Sequence, residues 1–246
     1  RKVHLRQPIL TNKDLEKLRR IRKKGFKAKT ISLLFKAGEK NDFMNALDRI
    51  CKEAFRAVRE GYSFVILSDR GVNKEYAALP ALLATSAVHH HLVGDACRSQ
   101  IALIVESAEP REVHHFALLF GYGAGAINPY LAYEAIGYLA QEKQLELDVK
   151  TAKKKYIKAV NKGILKILSK MGISTLQSYR GAQIFEAVGL NSDVIDNYFS
   201  GTVSRIGGAS LDTIAKESLL RHKEAFYGPE TPFLETGGFY QWKKDG

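Results

Sequence analysis

Asp69, Arg70, Glu106 and Asn128 each stand just past a short apolar run, and these four side chains are the chain's first candidates for chemistry. The runs are residues 62–67, 101–105 and 125–127. A β-branched apolar run followed by a longer helical pattern is a parallel βα unit. Successive units bring the residues beyond their strand ends to one face, where such folds build sites. Gly71, Pro129 and Tyr130 lie in the same turns. An arginine beside two acids can bind an anion, move a proton, or form an ion-pair network that organises loops. The third is the commonest use of an Asp–Arg pair beside a glutamate. A structural or interface role is therefore expected first, a ligand site second and catalysis third.

Three other constellations are weaker. Gly121-Tyr122-Gly123-Ala124-Gly125 has the glycines of a phosphate loop. Such a loop follows a strand and opens a helix, whereas this one follows a helical pattern and precedes a strand, so close backbone packing is the better reading. His89-His90-His91 and His114-His115 suggest a metal. Adjacent helical residues point about 100° apart, so neither run chelates as a unit. His90 and His114 could meet across neighbouring helices, but no metal is expected and core or interface histidines are preferred. Lys150, Lys154, Lys158, Lys162, Lys166 and Lys170 recur every four residues. Each step overshoots a helical turn by about 40°, so the row winds around its helix instead of forming a flat phosphate-binding face. Only Tyr156 interleaves with it. The row reads as a solvated or partner-contacting surface, and no nucleic acid partner is expected.

The elements that must position the strand-end residues follow from periodicity. Residues 14–21 form a short helix with Thr11 or Asn12 as its N-cap. Residues 30–35 read as the first strand. Asp42 caps a helix whose stripe is Phe43, Leu47, Ile50, Ala54 and Val58, and Gly61 sits where a C′ glycine belongs. Pro80 opens a helix running to about residue 93, and Pro110 opens another that Gly121 ends. Helices follow at 130–142 and 150–171. Residues 173–179 read as a fifth strand or extended turn. Short helices broken by Gly189, Gly201 and Gly207-Gly208 come next, and a last helix spans 212–224. Four or five βα units leave a partial barrel and an open doubly wound sheet both available.

The totals set bounds. A chain of 246 residues supports one large α/β domain with an appendage. Two cysteines, Cys51 and Cys97, make no disulfide framework, and Cys51 lies on an apolar helical stripe. No apolar run reaches the length of a membrane span and no signal-peptide pattern is present, so a cytoplasmic, reducing setting is expected. Net charge is +12, concentrated in residues 13–29 and 150–170. The opening Arg1 and the stop at Gly246 both read as cuts in a longer chain.

Several ordered stretches resemble the central domain of the large (alpha) subunit of glutamate synthase. They include Ser68-Asp69-Arg70-Gly71-Val72, Val105-Glu106-Ser107-Ala108-Glu109-Pro110, Ile127-Asn128-Pro129-Tyr130 and Gly172-Ile173-Ser174-Thr175-Leu176-Gln177-Ser178-Tyr179-Arg180-Gly181. The similarity runs from about residue 8 to residue 226 and adds Tyr179 and Arg180 to the strand-end or interface candidates. It implies an α/β fold, a degenerate or partial TIM-barrel-like domain of repeated βα units with extra C-terminal helices. It implies a division into a linker and short helix (1–29), a central domain (30–226) and a linker toward an FMN domain (227–246). The implied parent converts glutamine, 2-oxoglutarate and reductant to two glutamates, using FMN and a 3Fe-4S cluster. Its amidotransferase and FMN domains are the implied partners. The resemblance gives this piece no catalytic residue, metal or cofactor, and a connecting role around the ammonia path. The alternative is a barrel-derived module that keeps an anion or flavin site at its strand ends.

Overall fold

A computed structural model describes residues 3–21, 23–38 and 40–228. In chain order its elements are α1 (Asn12–Arg19), β1 (Ala28–Ser32), β2 (Leu34–Lys36), α2 (Lys40–Arg59), β3 (Phe64–Ser68), β4 (Tyr76–Ala78) and α3 (Ala81–Gly94). Then come β5 (Ala102–Glu106), α4 (Val113–Gly121), β6 (Ala124–Asn128), α5 (Tyr130–Gln141) and α6 (Val149–Lys170). The last are α7 (Leu176–Tyr179), β7 (Glu186–Leu190), α8 (Ser192–Tyr198), β8 (Val203–Ala209) and α9 (Leu211–Tyr227).

The central sheet is four parallel strands in the order β1-β3-β5-β6. The order follows the chain with no reversal, unlike a doubly wound sheet, and the described strands do not close on themselves. Alternation along each strand divides the side chains between two faces. Val65, Leu67 and Leu103 pack with α2 and α3, and Val105 and Ile127 with α4 and α6. Phe64, Ile66, Ile104 and Ala126 point the other way and are covered by Leu10, Leu15 and Leu18. The N-terminal residues therefore belong to the packed core. Residues 8–10 also extend the sheet: Leu10 N–H donates to Ile127 O at 2.8 Å and Ile127 N–H to Pro8 O at 2.9 Å, in a parallel bridge.

The local rules account for most boundaries. Thr11 caps α1 by accepting from Asp14 N–H at 3.1 Å. Phe43, Leu47, Ile50 and Ala54 are buried along α2, and Gly61 has φ +73° just beyond its end. Asp42 lies in the first turn of α2 and not before it.

Four expectations are corrected. Residues 30–35 are not one strand: Leu33 turns the chain between β1 and β2, donating to Ser68 O and accepting from Leu79 N–H. β2 then pairs antiparallel with β4, between the second expected strand and the helix that Pro80 opens, where no strand was expected. Residues 173–179 hold no strand, because Thr175 caps α7 by accepting from Ser178 N–H at 3.2 Å. The region expected as short helices contains the parallel pair β7 and β8. Its glycines allow close approach: a Cβ on Gly208 would lie 2.8 Å from the carbonyl carbon of Gly189. Residues 229–246, most of the expected C-terminal linker, lie outside the described residues.

Candidate functional site at the strand ends

Register places Ser32, Ser68, Glu106 and Asn128 side by side across the carboxyl edge of the sheet. Glu106 is the hub, with a side chain only 4% exposed. Its Oε1 accepts from Arg70 Nε at 2.7 Å. Its Oε2 accepts from Ser68 Oγ and from Arg19 Nη2, each at 2.6 Å. Arg70 continues outward: its Nη1 lies 3.4 Å from Glu134 Oε1 and its guanidinium carbon 3.9 Å from the centre of the Tyr130 ring.

Asp69 faces the other way along the same edge and is buried. Its Oδ2 accepts from Ser107 Oγ at 2.6 Å and from Ala108 N–H at 2.9 Å, and the Tyr130 hydroxyl lies close enough to act on its charge. Burial raises the Asp69 carboxyl above its ordinary range. Burial, followed by the nearby Asp69 charge, raises the Tyr130 phenol. Glu109 is likewise raised by burial, and it accepts the first N–H of α3, from Ala81, at 2.8 Å. Asn128 ties the sheet to the N-terminal segment, with Nδ2 donating to Leu10 O at 2.9 Å and Asn12 Oδ1 at 3.0 Å. Pro129 O accepts from Tyr133 N–H as α5 begins. Gly71 turns the chain after β3 with φ +97°, beside a 460 Å³ cleft lined by Ser32, Arg49, Asn73 and Tyr76.

Asp69, Arg70, Glu106, Asn128 and Tyr130 thus converge, with Gly71 and Pro129 in their turns. Tyr179 and Arg180 do not join them. Gly181 N–H donates to Gly121 O, and Arg180 Nη2 lies 3.8 Å from where a Cβ on Gly125 would stand. Both residues therefore sit where β6 starts, at the opposite end of the sheet. Strand-end position gave Arg70 and Glu106 from sequence, but not Arg19. It reaches Glu106 from 87 residues away, and its only local mark is a basic residue in the last turn of a short helix.

Chemically, the site is spent on itself. Both Glu106 oxygens are claimed by arginine or serine, and Asp69 Oδ2 by a hydroxyl and a backbone amide. Taking up a substrate proton there would break charge-assisted contacts. The histidine runs do not converge either. His91 pairs with Asp95 at 3.4 Å, His115 with Glu112 at 3.4 Å, and His114 lies edge-on to Phe185. Among the described residues no group of three or more His, Cys, Asp or Glu side chains gathers as metal ligands would. Cys51 is buried on α2, its thiol pushed up to about 12 chiefly by burial. No described helix is long and apolar enough to cross a membrane.

Residues 1–191 match the sequence profile of the family described as the glutamate synthase central domain. The chain belongs to that family. Over all 246 residues it is 46% identical to the glutamate synthase [NADPH] large chain of Bacillus subtilis, spanning 16% of that protein. Over 92% of its length it is 43% identical to glutamate synthase [NADH] of Schizosaccharomyces pombe, spanning 11%. This glutamate synthase central domain therefore corresponds to a small share of its curated relatives. Among solved structures, a flavocytochrome b2 mutant with sulfite bound overlaps 81% of the chain and 47% of its own, at TM-score 0.46 and 16% identity. Overlap at that level carries no argument about fold or ligand.

Proposed function

We propose that the chain is the connecting domain of a glutamate synthase, catalytically silent by itself. In this reading it holds an amidotransferase domain and an FMN domain in register and helps enclose the path of ammonia between them. The longer protein would convert glutamine, 2-oxoglutarate and reductant to two glutamates, with FMN and an iron–sulfur cluster held by other domains. The sheet is read as part of a degenerate barrel whose interior face is filled by the N-terminal segment. The observation that carries the proposal is the strand-end face itself. Where barrels build sites, Glu106 is already paired with Arg70 and Arg19, and Asp69 is taken up by Ser107 and a backbone amide. A flavin phosphate at the same place would meet buried Glu106 and Asp69, which argues against the anion or flavin module.

The test uses the chain expressed beside the amidotransferase and flavin domains of the B. subtilis relative as separate polypeptides. Association on sedimentation, with glutamine-dependent glutamate formation only when all three are present, is expected. Turnover by this chain unaided, or no association at high concentration, overturns the proposal.

A further inference from the structure

Half of the lysine row on α6 borders a groove of about 1030 Å³ between this helix and the N-terminal segment around Pro8. Lys150, Lys154 and Lys158 line it together with Lys153, and Arg6 lines it from the N-terminal segment. Lys162, Lys166 and Lys170 do not. Each four-residue step overshoots a turn by about 40°, so the first three lysines stay within about 80° of arc and the last three leave it. None of the five lining cations forms an ion pair or a side-chain hydrogen bond among the described residues, and no described acid lines the groove. The neighbouring Asp148 is engaged as the N-cap of α6, accepting from Thr151 N–H at 3.0 Å.

Between these cations the groove is apolar. Ile157, Ile164 and Leu168 reach it from the buried stripe of α6, and Leu165 beside them is 66% exposed. Leu176 of α7 adds to the same surface. Asn161 Nδ2 donates to Gln7 Oε1 at 2.6 Å and fastens the N-terminal wall to the helix. The lining residues of α6 run from Val149 to Leu168, about 28 Å of helix. The volume lies at the upper limit of small-molecule pockets. A long apolar surface of this kind is how a groove receives an amphipathic helix, and exposed Lys150, Lys154 and Lys158 call for carboxylates along that helix. A second copy of this chain fits poorly, because its net charge of +12 would set like charges against each other. The chain spans 16% of its B. subtilis relative. A segment tethered in the same polypeptide meets the groove at a far higher effective concentration than a free partner does.

We infer that this groove receives an acidic amphipathic helix from a neighbouring domain of the same longer polypeptide. The apolar stripe of that helix lies along Ile157, Ile164, Leu165 and Leu168, and its flanking carboxylates meet Arg6, Lys150, Lys153, Lys154 and Lys158. The inference rests on the connecting role and names one surface through which that role is exercised, away from the strand-end ion-pair network.

The test places the photo-cross-linker p-benzoylphenylalanine at position 165 and mixes the chain with the amidotransferase and flavin domains of the B. subtilis relative. A cross-link to one helical stretch rich in Asp and Glu, mapped by mass spectrometry, is expected. Leu165→Asp should weaken association in sedimentation about tenfold or more, and so should Lys154→Glu combined with Lys158→Glu. Lys216→Glu combined with Lys223→Glu changes net charge equally on exposed positions of α9 and should weaken it less. All variants should keep the parent's far-ultraviolet dichroism. Association without a cross-link from position 165 to either domain overturns this inference and leaves the connecting role standing, whereas no association overturns both. Equal weakening by the α9 pair also overturns it, since net charge alone would then explain the effect. A dimer of the chain alone that Leu165→Asp dissolves assigns the groove to a second copy. Saturable dodecanoate binding that Lys154→Glu abolishes, with no cross-link to either domain, assigns it to a fatty anion. Either result overturns the inference.

Discussion

Arg70 Nε meets Glu106 Oε1 at 2.7 Å across two adjacent parallel strands, while Arg19 holds the other oxygen of the same carboxylate from α1. One buried acid thus fastens the sheet edge to the helix that covers its inner face. Removing it leaves two arginines facing an empty place.

Glu106→Ala should accordingly destabilise the chain by about 3–5 kcal/mol, the usual consequence of breaking a buried pair from one side. Glu106→Gln keeps the shape and one acceptor oxygen and should cost less. Urea unfolding midpoints with unchanged slopes would measure both. Equal midpoints for the wild-type chain and Glu106→Ala would show that the network carries no stability.

Acid should weaken the fold through His89. Burial first, then the Arg98 charge, lowers its pKa from 6.5 to about 3. The unfolded chain takes up that proton near the ordinary value and the folded chain does not. The contribution is therefore complete above about 6.5 and is lost as pH falls toward about 3. His90 is shifted the same way by burial. His89→Gln retains an acceptor for Arg98 and should flatten the fall in urea midpoint between pH 7 and pH 4. An unaltered slope would contradict the assignment.

Gly163→Ala sets two effects against each other. Alanine favours an exposed helix interior over glycine by about 1 kcal/mol. Here a Cβ would lie 2.8 Å from Val113 Cγ1 and closer still to Cγ2, where α6 crosses the start of α4. Overpacking of that kind costs about 1–3 kcal/mol, so net destabilisation is expected. The double variant Gly163→Ala with Val113→Ala should recover much of it, and thermal melting of the pair checks this.

Deleting residues 1–20 should uncover Ile66, Ile104 and Ala126 and open the outer edge of β6. Exposed apolar surface beside a free strand edge favours self-association. Concentration-dependent sedimentation and dye binding are expected for the shortened chain. A well-behaved monomer would mean that the segment only decorates the sheet.

Much of this arrangement was legible in the residues. Apolar runs gave β3, β5 and β6, and the stripe from Phe43 to Ala54 gave α2, because continuous burial and 3.6-residue spacing are strong local signals. The convergence of Asp69, Arg70, Glu106 and Asn128 followed from strand ends alone. What local sequence does not encode is pairing at a distance. β4 is three residues whose ladder partner, β2, lies some forty positions earlier in the chain. β7 and β8 expose Val188, Val203 and Ile206, so they lack the alternation that marks a half-buried strand. Tyr179 and Arg180 were grouped with the strand ends because a similar motif contains them. The helix before them and the bond from Gly181 to Gly121 carry them to the other pole.

The bridge between Ile9 and Ile127 bears on how this chain is born. As it leaves the ribosome, the segment around Ile9 must wait for a mate more than a hundred residues behind it, since Leu10 and Asn128 are 118 positions apart. Synthesis reaches that mate only after seconds, at about 5–20 residues per second. Until then the early helix has only β1, β3 and β5 to settle on, and the sheet lacks the strand that anchors the segment ahead of it. Long-range closure of this kind is slow in any chain. It makes the passage from about residue 20 to residue 130 the interval in which a chaperone has most to do.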